Sequence, residues 1–204
     1  MIVVVDYGQA NVGSVVNMLR KAGAPAVATA DRKAIEASEK LILPGVGAFD
    51  SAMSRLRELD LVGVLNEVAV ARRVPTLGIC LGMQLLLEGS EEGRLPGLGW
   101  IKGRARRFTA ENMGQDLRVP HMGWNELTPC KASRLFDGAG ERQRFYFVHS
   151  YHAVCTDLED VLATTTYGCE FVSAMERDNI AGVQFHPEKS HRFGLRMLKS
   201  FAES

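Results

Sequence analysis

Residues 76–87, Thr-Leu-Gly-Ile-Cys-Leu-Gly-Met-Gln-Leu-Leu-Leu, decide how this chain is read. Positions 76–79 form a short run of strand type that leads straight into Cys80, and 83–87 continues as a helix. A strand passing at once into a helix belongs to a β/α alternation, and the same rhythm extends upstream. Residues 2–5 are an unbroken apolar run ending at Asp6, as expected for a strand covered on both faces. Val12, Val16 and Leu19 repeat at helical spacing, with Gly23 placed to stop the helix. Strands are expected at 25–29 and 40–43, the second closed by Pro44-Gly45. Ala52, Leu56 and Leu59 mark one amphipathic helix, and 62–73 reads as another. Downstream the rhythm changes. Segments 99–108, 145–154, 161–166 and 180–185 read as strands without comparable helices between them, and Leu195, Leu198 and Ala202 mark a closing helix. The expected fold is α/β: a mostly parallel open sheet flanked by helices, with an antiparallel extension in the C-terminal half. No internal repeat, low-complexity tract or Ser/Gly linker interrupts it, so residues 1–204 are read as one domain.

Composition narrows the function classes. The 204 residues carry 24 basic and 24 acidic side chains, which weighs against a general nucleic-acid binder, since holding phosphates takes a basic excess. No apolar run has the length a membrane span needs, and the first residues lack the basic and apolar regions of a secretory signal. Cys80, Cys130, Cys155 and Cys169 form neither a C-x-x-C pair nor a zinc-ligand spacing. Reduced thiols in a chain large enough to need no disulfide fit a cytoplasmic protein.

Three segments point to chemistry. In Gly78-Ile79-Cys80-Leu81-Gly82 a nucleophile has glycine two residues away on each side, after a strand and before a helix. The glycines leave room for a strained turn that exposes the sulfur above the sheet, and the helix start favours an anionic form. The alternative is a buried cysteine in a glycine-containing turn. In His186-Pro187-Glu188 the proline bars a helix, so His186 and Glu188 project to the same side of an extended segment. One ring nitrogen can then face a thiol while the carboxylate orients the ring, the logic of a nucleophile–base–orienter triad. A solvated histidine beside a surface glutamate is the blander reading. In residues 43–49, Leu-Pro-Gly-Val-Gly-Ala-Phe, a strand ends among glycines that leave backbone N–H groups free to turn toward a site, as an oxyanion hole needs. The glycine spacing is not that of a dinucleotide-binding loop. All three segments fall at strand C-terminal ends, where open α/β sheets place their sites.

The trio PGVGAF, GICLGMQLLLEGSEE and GVQFHPEKS resembles the class I, or triad, glutamine amidotransferases. PHMGWNEL at 120–127 and FYFVHSY at 145–151 narrow the resemblance to members that serve histidine biosynthesis. The match runs from the first strand to the last helix. It implies hydrolysis of glutamine to glutamate and ammonia, without metal or organic cofactor. By position, Cys80 matches the nucleophile, His186 the general acid/base and Glu188 its orienter. The backbone amides of Val46 and Leu81 match the oxyanion donors. Gly47, Gln84, Glu92, His149, Ser150 and Tyr151 match the glutamine-binding positions. The resemblance also implies a partner, a (β/α)8-barrel cyclase subunit joined as a heterodimer, which receives the ammonia. Asn11, Trp124, Tyr146 and Lys189 are the candidate contacts to it. Gln9-Ala10 and Val12-Gly13 depart from the residues many members carry in that loop.

Other readings share parts of this pattern. An amidotransferase subunit for surface-sugar biosynthesis would keep the triad, and a stand-alone γ-glutamyl cysteine hydrolase would not need the docking segments. A scaffold with a relic site is disfavoured because all triad positions are filled. Lys102, Arg104 and Arg106 alternate, as on one solvated strand face. Trp100 reads as core, Trp124 as core or partner contact, and His121 and His149 as structural hydrogen-bonders.

Overall fold

The computed structural model describes residues 1–109, 117–136 and 142–204. The chain begins β1 (Ile2–Val5), α1 (Val12–Lys21), β2 (Ala26–Thr29), α2 (Arg32–Glu36), β3 (Lys40–Gly45), α3 (Phe49–Glu58) and α4 (Leu61–Asn66). It continues β4 (Thr76–Cys80), α5 (Leu81–Leu85), β5 (Gly89–Ser90), β6 (Gly103–Arg107), β7 (His121–Glu126) and β8 (Thr128–Pro129). The rest is β9 (Arg144–His149), β10 (Tyr151–Cys155), β11 (Val161–Tyr167), β12 (Cys169–Arg177), β13 (Ile180–Val183) and α6 (His191–Glu203).

The main sheet runs β2-β1-β3-β4-β13-β12-β10-β6-β5, with β11 paired to β12 and β8 to β11. From β2 to β13 every pairing is parallel; β12 pairs antiparallel with β13, β10 and β11. This is the expected fold. Its core follows from the period-two alternation of fully apolar strands. Val3, Val5, Leu41 and Leu43 face one layer with Leu56 and Leu65 of α3 and α4. Ile2, Val4, Ile42 and Leu77 face the other, with Leu19 of α1 and Met197, Leu198 and Phe201 of α6. Each such side chain contributes roughly 1.5–3 kcal/mol by leaving water. A charge at Val4, buried in an interior strand, would remove that and add a desolvation cost.

Several elements differ from the sequence reading. The helix expected at 62–73 is α4 followed by a π-helical turn, Glu67–Ala71. Val68 and Ala69 of this turn are both buried, and the Asn179 amide donates to the Ala69 carbonyl within it and the Val74 carbonyl beyond it. The strand expected at 99–108 begins only at Gly103, because Gly97, Leu98 and Trp100 turn back to donate to Glu88, Leu85 and Leu86 carbonyls. The strand expected at 145–154 breaks at Ser150: β9 joins β7 in a separate two-stranded sheet, while β10 joins the main one. Strands β7 and β12 were not anticipated. The Ser150 corner, anchored by the Phe108 N–H on its carbonyl, becomes a wall of the cavity described next.

Candidate active site

Parallel register puts Gly45 opposite Cys80 and Val183 opposite Ile79, so the residues leaving β3, β4 and β13 meet at one edge of the sheet. Cys80 sits at φ 54°, ψ −111°, a conformation that side chains other than glycine rarely adopt. Its flanking glycines are required by packing. A Cβ at Gly82 would stand 1.8 Å from the Leu43 carbonyl oxygen, and one at Gly78 2.8 Å from Gly82 O and Met83 N. The elbow therefore presses α5 against β3 and β4 and presents the sulfur into a cavity of about 340 Å³.

His186 is buried, and its Nδ1 lies 2.7 Å from Glu188 Oε1, whose side chain is only 4% exposed. The segment is not extended as expected: Pro187–Lys189 form a 3-10 turn, with the proline at its start where no N–H is needed, and β9 and the turn itself hold it in place. His186 N–H donates to the Tyr146 carbonyl, Tyr146 N–H donates to Ser190 Oγ, and Ser190 Oγ–H donates back to the His186 carbonyl at 2.6 Å. Helix α6 packs so closely on the turn that a Cβ at Gly194 would lie 1.8 Å from the Pro187 oxygen. Burial by itself lowers the His186 pKa, but hydrogen bonding and charge from Cys80 and Glu188 outweigh it and raise it to about 10. Its Nε2 is buried and, among the described residues, lacks a hydrogen-bond partner of good geometry, as is common before substrate draws such contacts tight. The arrangement can take a proton from a thiol and hold it as an oriented imidazolium.

Of the expected site residues, Val46, Gly47, Cys80, Leu81, Gln84, Glu92, His149, Ser150, Tyr151, His186 and Lys189 all line the cavity. Glu188 stands behind His186. The Val46 N–H, expected to serve as an oxyanion donor, is engaged elsewhere: it donates to the Gln9 carbonyl at 2.9 Å. Glu92 accepts the Phe49 N–H at 2.8 Å, at the start of α3. Trp124 and Tyr146 do not line the cavity. They form a cross-strand pair on the β7–β9 sheet beside it, with Trp124 stacked on His191 at 5.4 Å and Lys189 Nζ 6.0 Å from the Tyr146 ring centroid. Asn11 is exposed before α1 and makes no capping hydrogen bond.

His121 and His149 are hydrogen-bonders, as expected, but their bonding reaches the cavity wall. Burial lowers their pKa values to about 4 and about 3, so both rings are neutral. His149 Nδ1 donates to the Tyr151 carbonyl at 2.8 Å, leaving Nε2 to accept from His121 Nδ1 at 3.0 Å. Trp100 is core, its Nε1–H on Asn66 Oδ1. Sequence reasoning missed three contributors. Tyr7, fully buried, donates its hydroxyl to the Pro44 carbonyl at 2.9 Å; Gln9 supplies the carbonyl that holds Val46; and Gln184 lies against Cys80. For Gln184 the signal was present, since it stands two residues before His186 and shares its side of an extended segment.

The sequence family described as glutamine amidotransferase class-I matches residues 3–203. The imidazole glycerol phosphate synthase subunit HisH 2 of Methanococcus maripaludis is 50% identical over 201 residues, covering 98% of each chain. The subunit of the same name from Pseudomonas aeruginosa is 51% identical over 203 residues, covering 100% of this chain and 99% of that one. Among solved structures, a glutamine amidotransferase aligns over 100% of both chains with a TM-score of 0.75 at 19% identity. PurLQS from Thermotoga maritima aligns over 99% of this chain and 97% of the other, with a TM-score of 0.72 at 20% identity. At such identities the two structures speak for the fold alone.

Proposed function

The chain belongs to the class I glutamine amidotransferases, in the branch of the imidazole glycerol phosphate synthase HisH subunits, and from that membership we propose how its cavity works as the glutaminase of histidine biosynthesis. Residues 1–204 act as one amidotransferase domain. Glutamine enters with its amino acid end toward Gln84, Glu92, Gly47 and the backbone of His149-Ser150-Tyr151, and its side-chain amide toward Cys80.

An amide is a poor electrophile and a thiol a weak nucleophile, so both need help. His186 Nε2 takes the Cys80 proton and the sulfur attacks the carboxamide carbon. The oxyanion that forms is held by the backbone amides of Leu81 and Val46, the latter once it leaves the Gln9 carbonyl. The C–N bond then breaks as His186 returns the proton to the departing nitrogen. Water, deprotonated by His186, hydrolyses the γ-glutamyl thioester and frees glutamate and the thiol. Glu188 keeps the ring in the tautomer that offers Nε2 to the sulfur. The single observation carrying this reading is the buried 2.7 Å His186–Glu188 contact in the turn that follows β13, the strand paired with β4 and its Cys80 elbow.

Ammonia is largely protonated at neutral pH and then cannot attack, so direct delivery to a second site has a chemical rationale. The HisH relatives are named as subunits of a synthase. We infer that the acceptor is a (β/α)8-barrel cyclase joined as a heterodimer in the cytoplasm, making imidazole glycerol phosphate and aminoimidazole carboxamide ribotide. Trp124, Tyr146 and Lys189, grouped beside the cavity mouth, and Asn11 are the contacts assigned to it. Cys80→Ala tests the reading: in the complex it abolishes glutamine-dependent turnover and leaves the cyclase running on added ammonium salts. A variant that keeps most glutamine-dependent turnover would reject it.

A further inference from the structure

Gln184 leaves β13 immediately before Phe185 and is fully buried. Its backbone N–H is satisfied by the Ser173 carbonyl at 2.9 Å, and its side chain turns toward α5. There two amides lie in line: Gln84 Nε2 is 3.1 Å from Gln184 Oε1, and Gln184 Nε2 is 3.8 Å from Cys80 Sγ. The polarity of this line follows from its far end. Gln84 Nε2 also stands 3.1 Å from the Tyr151 carbonyl oxygen, which can only accept, so the NH2 group of Gln84 faces that end. A hydrogen left on the same nitrogen reaches Gln184 Oε1, and the NH2 group of Gln184 must then face the sulfur.

Cys80 Sγ has a second neighbour of opposite character, the Val148 carbonyl oxygen at 3.9 Å. A carbonyl accepts from the thiol and repels the thiolate, whereas an amide N–H is attracted most strongly to the thiolate. Because Gln184 is sealed from solvent, water cannot replace its donor. Unlike His186, this donor is neutral and does not change its own proton count through the cycle.

We propose that Gln184 is a hydrogen-bond donor to the sulfur of Cys80, stabilising it when it is anionic, and that Gln84 is the positioning residue that holds the Gln184 amide in that orientation. This rests on the reading of Cys80 as the nucleophile. It adds to that reading a neutral group that acts on the sulfur both when it attacks and when it departs from the thioester. It also gives Gln84 a task apart from substrate contact, since both of its N–H groups point into the amide line.

The test is alkylation of Cys80 by iodoacetamide across pH, in the chain alone and in the synthase complex. It is read on the Cys80 peptide by mass because Cys130 is exposed and Cys169 half-buried, so both compete for the reagent. Gln184→Met keeps the approximate volume and removes the donor. The expected result is a Cys80 alkylation rate about tenfold lower near neutrality, with the pH profile displaced to higher pH. In the complex kcat for glutamine falls in parallel while KM changes less. Gln84→Met shifts the alkylation profile in the same direction by a smaller amount, and serves alone if Gln184→Met does not fold. Alkylation profiles that superimpose on the parent's would overturn the proposal, whatever happens to glutamine turnover. The two readings fail separately: glutamine hydrolysis surviving in Cys80→Ala would remove the nucleophile assignment, while the alkylation profile still reports whether Gln184 acts on the sulfur.

Discussion

Glu188 and His186 show how little separates a triad from an ordinary strand end. Both side chains are almost fully buried, and one oxygen of the carboxylate, Oε2, has no hydrogen-bond partner among the described residues. That isolation is tolerable because Oε1 accepts from the ring, and it makes the ring's tautomer unambiguous. Glu188→Gln keeps the shape but replaces a charge with a dipole. We expect kcat for glutamine in the complex to fall about a hundredfold with KM little changed, because a dipole orients less firmly the imidazolium that must deliver its proton to the departing nitrogen. Steady-state kinetics decide this: poor glutamine binding with normal turnover at saturation would make Glu188 a substrate contact instead. At this scale Cys80, His186 and Glu188 were legible in the sequence, each marked by an unusual neighbour such as glycine or proline. Gln184 was legible only by its place two residues before His186, because nothing else local distinguishes a strand-end glutamine that meets a sulfur from one that meets solvent.

The segment after β3 is the element on which a partner-dependent switch, as proposed, would act. The pair of glycines around Val46 suggests a freely reorienting peptide, but the structure assigns the two glycines different reasons. A Cβ at Gly45 would lie 2.6 Å from Tyr7 Oη and 2.9 Å from Gly82 N, so this residue is glycine for close packing. Gly45→Pro would therefore unseat Tyr7 as well as stiffen the loop. Gly47, at φ +96° with open space around its Cβ position, is the conformationally permissive one. The Val46 N–H is held by Gln9; if it is an oxyanion donor, as proposed, that donor is withheld, a loss worth roughly a hundredfold or more in rate. The chain alone should therefore hydrolyse glutamine weakly, and adding the cyclase with its nucleotide ligand should raise turnover by about a hundredfold or more. Glutaminase assays with and without the partner check this. Equal rates would mean that no such switch exists.

For the whole molecule, the buried histidines set a direction of pH dependence. His121, His149 and His152 all have pKa values lowered by burial, to about 4 and about 3 in the first two. In the unfolded chain each titrates near 6.5. Below that pH the unfolded state binds protons the native state refuses, so the stability these rings contribute is complete above about pH 6.5 and is lost as pH falls toward about 4. Urea midpoints should fall steeply across that interval, and His121→Phe, stacked in place on Phe147 and Tyr167, should shallow the fall. A midpoint flat between these limits would contradict the neutral assignment of the cluster.

The sequence by itself determined what depends on near neighbours. The apolar runs marked the parallel strands, helical spacing marked α1, α3 and α6, and the glycines around Cys80 marked the elbow, because each pattern is written within a few residues of the structure it forms. Only the tertiary structure decided what depends on which surfaces meet. The break at Ser150 follows from β9 and β10 finding different partners, although 145–154 is one continuous strand pattern. The Val46–Gln9 bond joins the end of β3 to the loop of the first β/α unit, between β1 and α1. The line from Gln84 through Gln184 to Cys80 joins side chains 100 and 104 positions apart. Periodicity carries no record of such meetings. They arise when strands pack side by side and a buried polar group must take whatever partner the other chain segment places within reach.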